Sequence, residues 1–213
     1  MNFIPIFPLD LISFPSETLN LHIFEPPYVE LVNDCLDQKR NFGIPARDGR
    51  DQGDLGTLME ITDVITRYSN GELDIKTRAV AVFRVLELLK PADEKLYGGA
   101  IVSYTDNVLS NGSSPIAAKL ISDVKHLYEL LNVQEKFPAD TSGFTSYSLA
   151  HLVGLSRDQE YELLGIFTEI QRLEYIRRHL ATITPLLRKL EDMKKRVQMN
   201  GHFQNLSAKD LNL

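Results

Sequence analysis

Cysteine is nearly missing from this chain of 213 residues: Cys35 stands alone, so no intramolecular disulfide framework can form. Long apolar runs are missing too. The longest, Ala79 to Phe83, is far short of the roughly 20 residues that a membrane helix needs. The opening Met1-Asn2-Phe3-Ile4-Pro5 has neither the basic nor the apolar region of a secretory signal. These absences lead to the expectation of a cytoplasmic protein with no membrane partner. None of the 12 glycines is followed by lysine, which excludes a Walker-type phosphate loop. No Gly-x-Ser-x-Gly elbow, His-Glu-x-x-His pair, Cys-x-x-Cys pair or Gly-x-Gly-x-x-Gly turn occurs. The five histidines are scattered and suggest no metal cluster, and Cys35, between Val32 and Leu36, reads as a packed side chain. No catalytic, metal-ligating or cofactor-binding set is expected, and the chain is not expected to be an enzyme.

What is present is an ordinary globular composition, 43% hydrophobic and 24% charged, with a net charge of −6 that argues against general nucleic-acid binding. The chain changes period near residue 110. Before that point the segments are short and strand-like. Phe3 to Leu9 carries Pro5 and Pro8 and suits an edge strand. Thr18 to Phe24 alternates, with Leu19, Leu21 and Ile23 on one face. Pro26-Pro27 opens a helix to about Gln38, and Phe42 to Ile44 forms a short strand before the polar loop Arg47 to Asp54. Leu58 to Arg67 and Leu73 to Leu89 flank Ser69-Asn70-Gly71, a strong hairpin signal, and Tyr97 to Tyr104 adds a strand. The result is a small, curled, mostly antiparallel sheet.

Beyond residue 110 the spacing is helical. Ser114 is the expected N-cap of a helix with Pro115 at its first position and Ile116, Leu120, Val124, Leu127 and Leu131 on one face. Ser146 to Val153 forms a short helix ending at Gly154. Ser156 with Gln159 is a capping box that opens the longest periodic stretch, Leu163 to Val197, which Thr184-Pro185 either kinks or divides. The class is α+β. Expected divisions are a β-rich subdomain at 1–110, an α-helical subdomain at 111–199 and a flexible tail at 200–213. Charge is uneven: residues 1–171 hold 14 basic and 25 acidic side chains, whereas residues 172–196 hold 8 basic and 3 acidic. That basic stretch offers a contact for RNA or an acidic partner; alternatively it is simply a solvated outer face.

The block Ile4-Pro5-Ile6-Phe7-Pro8-Leu9, then Phe14-Pro15, then Leu19-Asn20-Leu21-His22-Ile23-Phe24-Glu25-Pro26-Pro27-Tyr28 resembles the opening of Lon protease amino-terminal, substrate-binding domains, above all their stand-alone relatives. Phe42-Gly43-Ile44, Gly56 through Val64, Gly71 through Ile75 and Phe83 through Leu86 keep the family's order, and Leu152 through Ser156 resembles the turn into its last helices. The similarity spans about residues 3–195. Pro27 stands where relatives usually carry Arg, and Ala79 and Val82 where they carry Gly and Arg; Ala79 suggests a straighter strand.

The resemblance implies a small PUA-like β-barrel followed by a helical bundle with a long C-terminal helix. It implies a non-catalytic module that recognises unfolded or degradation-tagged polypeptides, with a protease or chaperone as a further partner. The family's ATPase and peptidase modules would not fit, because the chain ends after the helices. Phe24, Glu25, Pro26 and Tyr28 form the expected peptide-binding surface; the competing reading is that Phe24 and Tyr28 only seat the early helix on the sheet. The alternative function is RNA binding by a PUA-like barrel through the basic C-terminal helix, although nucleic acid is the less expected partner.

Overall fold

The computed structural model describes residues 2–47, 54–92, 94–109 and 115–203, with backbone alone for 198–203. The polar loop at 48–53, the cap expected at Ser114 and the tail from residue 204 onward lie outside the described residues.

The described chain clusters into two compact units, one of Met1–Leu109 with Leu155–Arg172, the other of Ser110–Gly154 with Leu173–Leu213. The first unit is built on six described strands: β1 (Asn2–Pro5), β2 (Thr18–Ile23), β3 (Phe42–Pro45), β4 (Leu55–Arg67), β5 (Leu73–Leu89) and β6 (Gly99–Tyr104), with helix α1 (Pro26–Asp37) between β2 and β3. Their order is β1-β6-β5-β4-β3, every pairing antiparallel, with β2 also paired to β5. The two ends of this path meet at one parallel bridge, Ile6 to Gly43, so the sheet curls without closing into a full barrel. The α+β class and the curled antiparallel sheet are those expected from the sequence.

Strand β5 organises this unit. One side of it pairs with β4, while the other pairs with β2 along 73–78 and with β6 along 83–89. At the change of partner the β4 ladder slips: Leu58 pairs with Ala81 and Met59 with Ala79, leaving Val80 as an extra residue. The straighter strand expected from Ala79 is therefore corrected to a bulged one. Ala79 donates its N–H to the Glu17 carbonyl and accepts from Ser16 N–H, both at 2.8 Å, and it does so without a positive φ. A bulge bends and twists its strand, which is how the curl arises without glycine.

The hairpin signal acts as read. Tyr68 donates its N–H to the Glu72 carbonyl at 2.9 Å across the hairpin, and Gly71 supplies the φ of +93° that the turn requires. Gly56 lies opposite Phe83, and a Cβ on it would sit 2.3 Å from that ring, so the buried phenylalanine requires glycine across the ladder. Phe83 belongs to one core cluster with Ile4, Leu58, Val85 and Val102; another joins Leu31, Val32 and Cys35 of α1 to Phe42, Met59, Leu73 and Ile75. Cys35 is buried, and desolvation pushes its thiol up to about 11.

Helix α4 (Arg157–Leu164) and the first turn of α5 (Glu169–Phe203) belong to the first unit. The capping box forms as expected, Ser156 Oγ accepting from Gln159 N–H at 3.3 Å. The helical period expected to run on from it towards Thr184 is broken near its start: α4 ends at Leu164 with Gly165 as its C-cap, and α5 starts only at Glu169. Residues 166–168 are held elsewhere, with Val108 N–H donating to the Phe167 carbonyl at 3.0 Å and Arg172 donating to the Ile166 carbonyl at 2.8 Å.

The second unit contains α2 (Pro115–Leu130), a 3₁₀ turn (Gln134–Lys136), α3 (Ser146–Ala150) and the remainder of α5. Ala117, Leu120, Val124 and Leu127 form the buried stripe of α2, and Leu173, Ile176 and Leu180 that of α5. Helix α3 stops at Ala150 with His151 as its C-cap, short of the Val153 expected from the sequence, and the turn after it reaches Gly154 at φ +69°. Of the two readings of Thr184-Pro185, the continuous helix is observed: α5 runs through Pro185.

Candidate functional site

The four residues singled out from the sequence surround the start of α1. Glu25 occupies the N-cap position with extended backbone, yet its side chain makes no capping bond; instead its carbonyl accepts from Tyr28 and Val29 N–H at 2.9 and 3.0 Å. Pro26 and Pro27 follow. A proline has no N–H to leave orphaned in a first turn, so this helix needs no side-chain cap. Pro26 is exposed, whereas Tyr28 is half-buried, its ring centroid 4.3 Å from that of Phe7. Burial, then the nearby Glu25 carboxylate, raise the Tyr28 hydroxyl above its ordinary range. Tyr28 thus seats the helix, while Phe24 is 59% exposed.

Phe24 is not isolated. Its ring stacks on His22 at 5.8 Å, and His22 meets Tyr68 edge-on at 5.9 Å. His22 Nδ1 lies 2.7 Å from Asp74 Oδ1, and Tyr68 donates its hydroxyl to Asp74 Oδ2 at 2.6 Å. Hydrogen bonds from Tyr68 and then His22 hold the Asp74 carboxyl below the usual carboxylate range. The outcome is an exposed aromatic patch fixed from below by an acidic residue, with no nucleophile in the network. Among the described residues no group of histidines, cysteines and carboxylates is arranged to hold a metal ion.

The second unit carries a surface that the sequence reading missed. A groove of about 630 Å³ is lined by Leu127 of α2 and Leu131 just after it, Leu152 and Val153 after α3, and Ile183 and Leu187 from α5, with Tyr128, His151 and Lys136 also in its lining. Leu186 and Leu190 also face it, and Leu190 is 52% exposed. Leucines at helical spacing signal a packed stripe, and no local signal separates a filled stripe from an open one. The groove offers van der Waals surface and desolvation, with few groups able to move a proton. It suits an apolar chain segment rather than a reaction.

The basic stretch is less available than its composition suggested. Arg172 is fully buried, and Arg177 and Arg178 both bind Glu174, whose carboxyl is drawn down to about 2 by those hydrogen bonds. Lys194 pairs with Glu191 at 2.6 Å, and Arg188 lies 3.1 Å from His126 Nε2. No described helix is long and apolar enough to cross a membrane.

Comparison with known proteins converges on one family. The sequence model of the ATP-dependent protease La (LON) substrate-binding domain matches residues 4–182. The crystal structure of a Lon N-terminal domain protein from Xanthomonas campestris is similar at 26% identity and a TM-score of 0.59, covering 82% of this chain and 96% of that one. The N-terminal domain of a Lon protease from the Mycobacterium avium complex shares the fold at 13% identity, also with a TM-score of 0.59, covering 84% and 98%. No curated protein matches the chain.

Proposed function

Because this chain belongs to the family of ATP-dependent protease La (Lon) substrate-binding domains, we propose that it holds polypeptides by their apolar segments without acting on them chemically. The observation that carries this reading is the open groove of about 630 Å³ in the second unit, with Leu186 and Leu190 of its lining exposed to solvent. A folded protein rarely leaves contiguous apolar surface to water unless something occupies it. Unfolded chains expose the complementary surface, which well-folded proteins bury. The Phe24 patch is a second contact in the same reading, its exposed ring suited to an apolar side chain of a bound segment. A cytoplasmic setting belongs to the proposal as well, with unfolded or degradation-tagged chains as cargo and a protease or chaperone as the recipient.

Fluorescence anisotropy of labelled, unfolded casein tests it. Saturable binding without cleavage is expected, with native globular proteins failing to compete. Leu186→Asp with Leu190→Asp should weaken binding at least about tenfold, the effect of losing a central apolar anchor. Phe24→Ala should weaken it less. Absence of casein binding by the unaltered chain overturns the proposal.

A further inference from the structure

Beyond the groove the same face of α5 continues into solvent. Ile183, Leu186, Leu190, Met193 and Val197 follow one another at alternating steps of three and four residues, the spacing of a helix seam. Leu186, Leu190, Met193 and Val197 are all exposed, Val197 at 69%. The seam extends for about 20 Å at 1.5 Å per residue, the length of four helical turns. Its borders are cationic. In heptad terms Lys189 and Arg196 fall on one side and Lys194 on the other, while Glu191 and Asp192 lie on the far side of the helix. Lys189, Lys195 and Arg196 make no ion pair with a described residue, whereas Lys194 already has Glu191.

Two kinds of helical occupant fit an apolar seam, and charge separates them. A second copy of the chain, laid parallel, would bring Lys189 against Lys194 of its mate; laid antiparallel, it would bring Lys189 and Arg196 against themselves. Like charges at these positions disfavour pairing. A segment with carboxylates beside its apolar stripe gains where the copy loses. We propose that the groove and the seam running out of it take a polypeptide segment that forms an amphipathic helix, with aliphatic residues along one stripe and glutamate or aspartate on its borders. This names the substrate class of the polypeptide-binding reading and rests on it. The apolar stripe supplies affinity, and the cations select among apolar helices and speed their approach.

Three labelled peptides of roughly 20 residues, long enough to span the seam, test the inference against the whole chain. One carries Leu at the seam positions and Glu at the borders, the second Leu with Lys, the third Ser with Glu. The Leu–Glu peptide is expected to bind, to gain helical circular dichroism on binding, and to lose roughly tenfold in affinity between about 0.05 and 0.5 M salt as border pairs are screened. Leu190→Asp with Met193→Asp, both at exposed positions, should cost at least about tenfold while thermal melting is unchanged. Lys189→Glu with Arg196→Glu should shift preference toward the Leu–Lys peptide. Equal binding of the Leu–Glu and Leu–Lys peptides, indifference to the two aspartates, or sedimentation as a dimer abolished by them overturns it. Unfolded casein run in parallel separates the failures: casein bound and the Leu–Glu peptide refused sinks this inference alone, whereas refusal of both sinks the polypeptide-binding reading.

Discussion

At the scale of single residues the chain's boldest commitment is Arg172, a guanidinium with no solvent exposure. Burying an unpaired charge costs several kcal/mol, and the fold offsets this with a full set of acceptors. Nη1 donates to Asn107 Oδ1 at 2.7 Å and to the Ile166 carbonyl at 2.8 Å; Nη2 donates to the Val108 carbonyl at 2.9 Å and to Glu169 Oε2 at 2.8 Å. The arginine thereby fastens residues 107–108 to the turn between α4 and α5. Arg172→Met should destabilise the chain by about 3–5 kcal/mol, since it strands a buried carboxylate and several carbonyls. Thermal or urea unfolding measures this, and adding Glu169→Gln should cost less than the sum of the single changes. A loss below about 1 kcal/mol would mean that the network contributes little. Composition placed Arg172 among the surface cations of 172–196 because residue type reports charge and not burial. Its acceptors at 107–108 lie some 65 positions away and leave no mark on the local pattern.

At the scale of elements, α1 is tied to the segment leading into β6 by a small polar cluster. Lys95 Nζ reaches Asp34 at 2.5 Å and Glu30 at 3.3 Å, Tyr97 donates its hydroxyl to Asp34, and Leu96 N–H donates to Glu30 at 2.9 Å. Burial works to raise the Asp34 carboxyl, but the hydrogen bonds from Lys95 and Tyr97 outweigh it and leave the group below its ordinary range. The same cluster pushes the Tyr97 hydroxyl up to about 12, burial first and the Asp34 bond second. A carboxyl depressed in the folded state adds stability that is complete above its unfolded pKa, about 3.9, and is lost as pH falls through the lower folded value. Urea unfolding between about pH 3 and pH 7 should therefore show an acid limb that Asp34→Asn flattens; an unchanged limb would assign acid sensitivity to other groups. Elements with strong local chemistry were legible in the sequence. The β4–β5 hairpin announced itself through Asn70-Gly71, α1 through its prolines, and α4 through Ser156 and Gln159. The break at 165–168 was not legible, because Leu163, Ile166, Ile170 and Leu173 keep helical spacing across it while tertiary bonds pull the backbone away. The groove was hidden for a related reason: three separated segments build it, and each alone resembles a core stripe. Of the residues named around Phe24, the pattern could not tell the exposed ring from Tyr28, whose partner Phe7 lies in a distant segment.

At the scale of the whole molecule, charge argues against the RNA alternative. The chain carries −6 overall, and much of the basic stretch on α5 is either buried or already paired with glutamate. Lys189, Lys195 and Arg196, which make no ion pair with a described residue, and Arg188 beside the His126 imidazole release too few counterions for firm phosphate binding, so anisotropy with a labelled structured RNA should show negligible affinity at about 0.1 M salt. Tight binding that weakens steeply with salt would restore that alternative. The sheet has an architectural dependency of its own. β5 is a party to three of the five strand ladders, with β4, β2 and β6, and changes partner at Val80. Peripheral strands can fray singly while β5 stays bonded on its other flank, but no opening of β5 leaves the neighbours intact. Its amides from 73 to 85 are thus expected to form the slowest-exchanging foldon of the sheet, released to deuterium only by global unfolding.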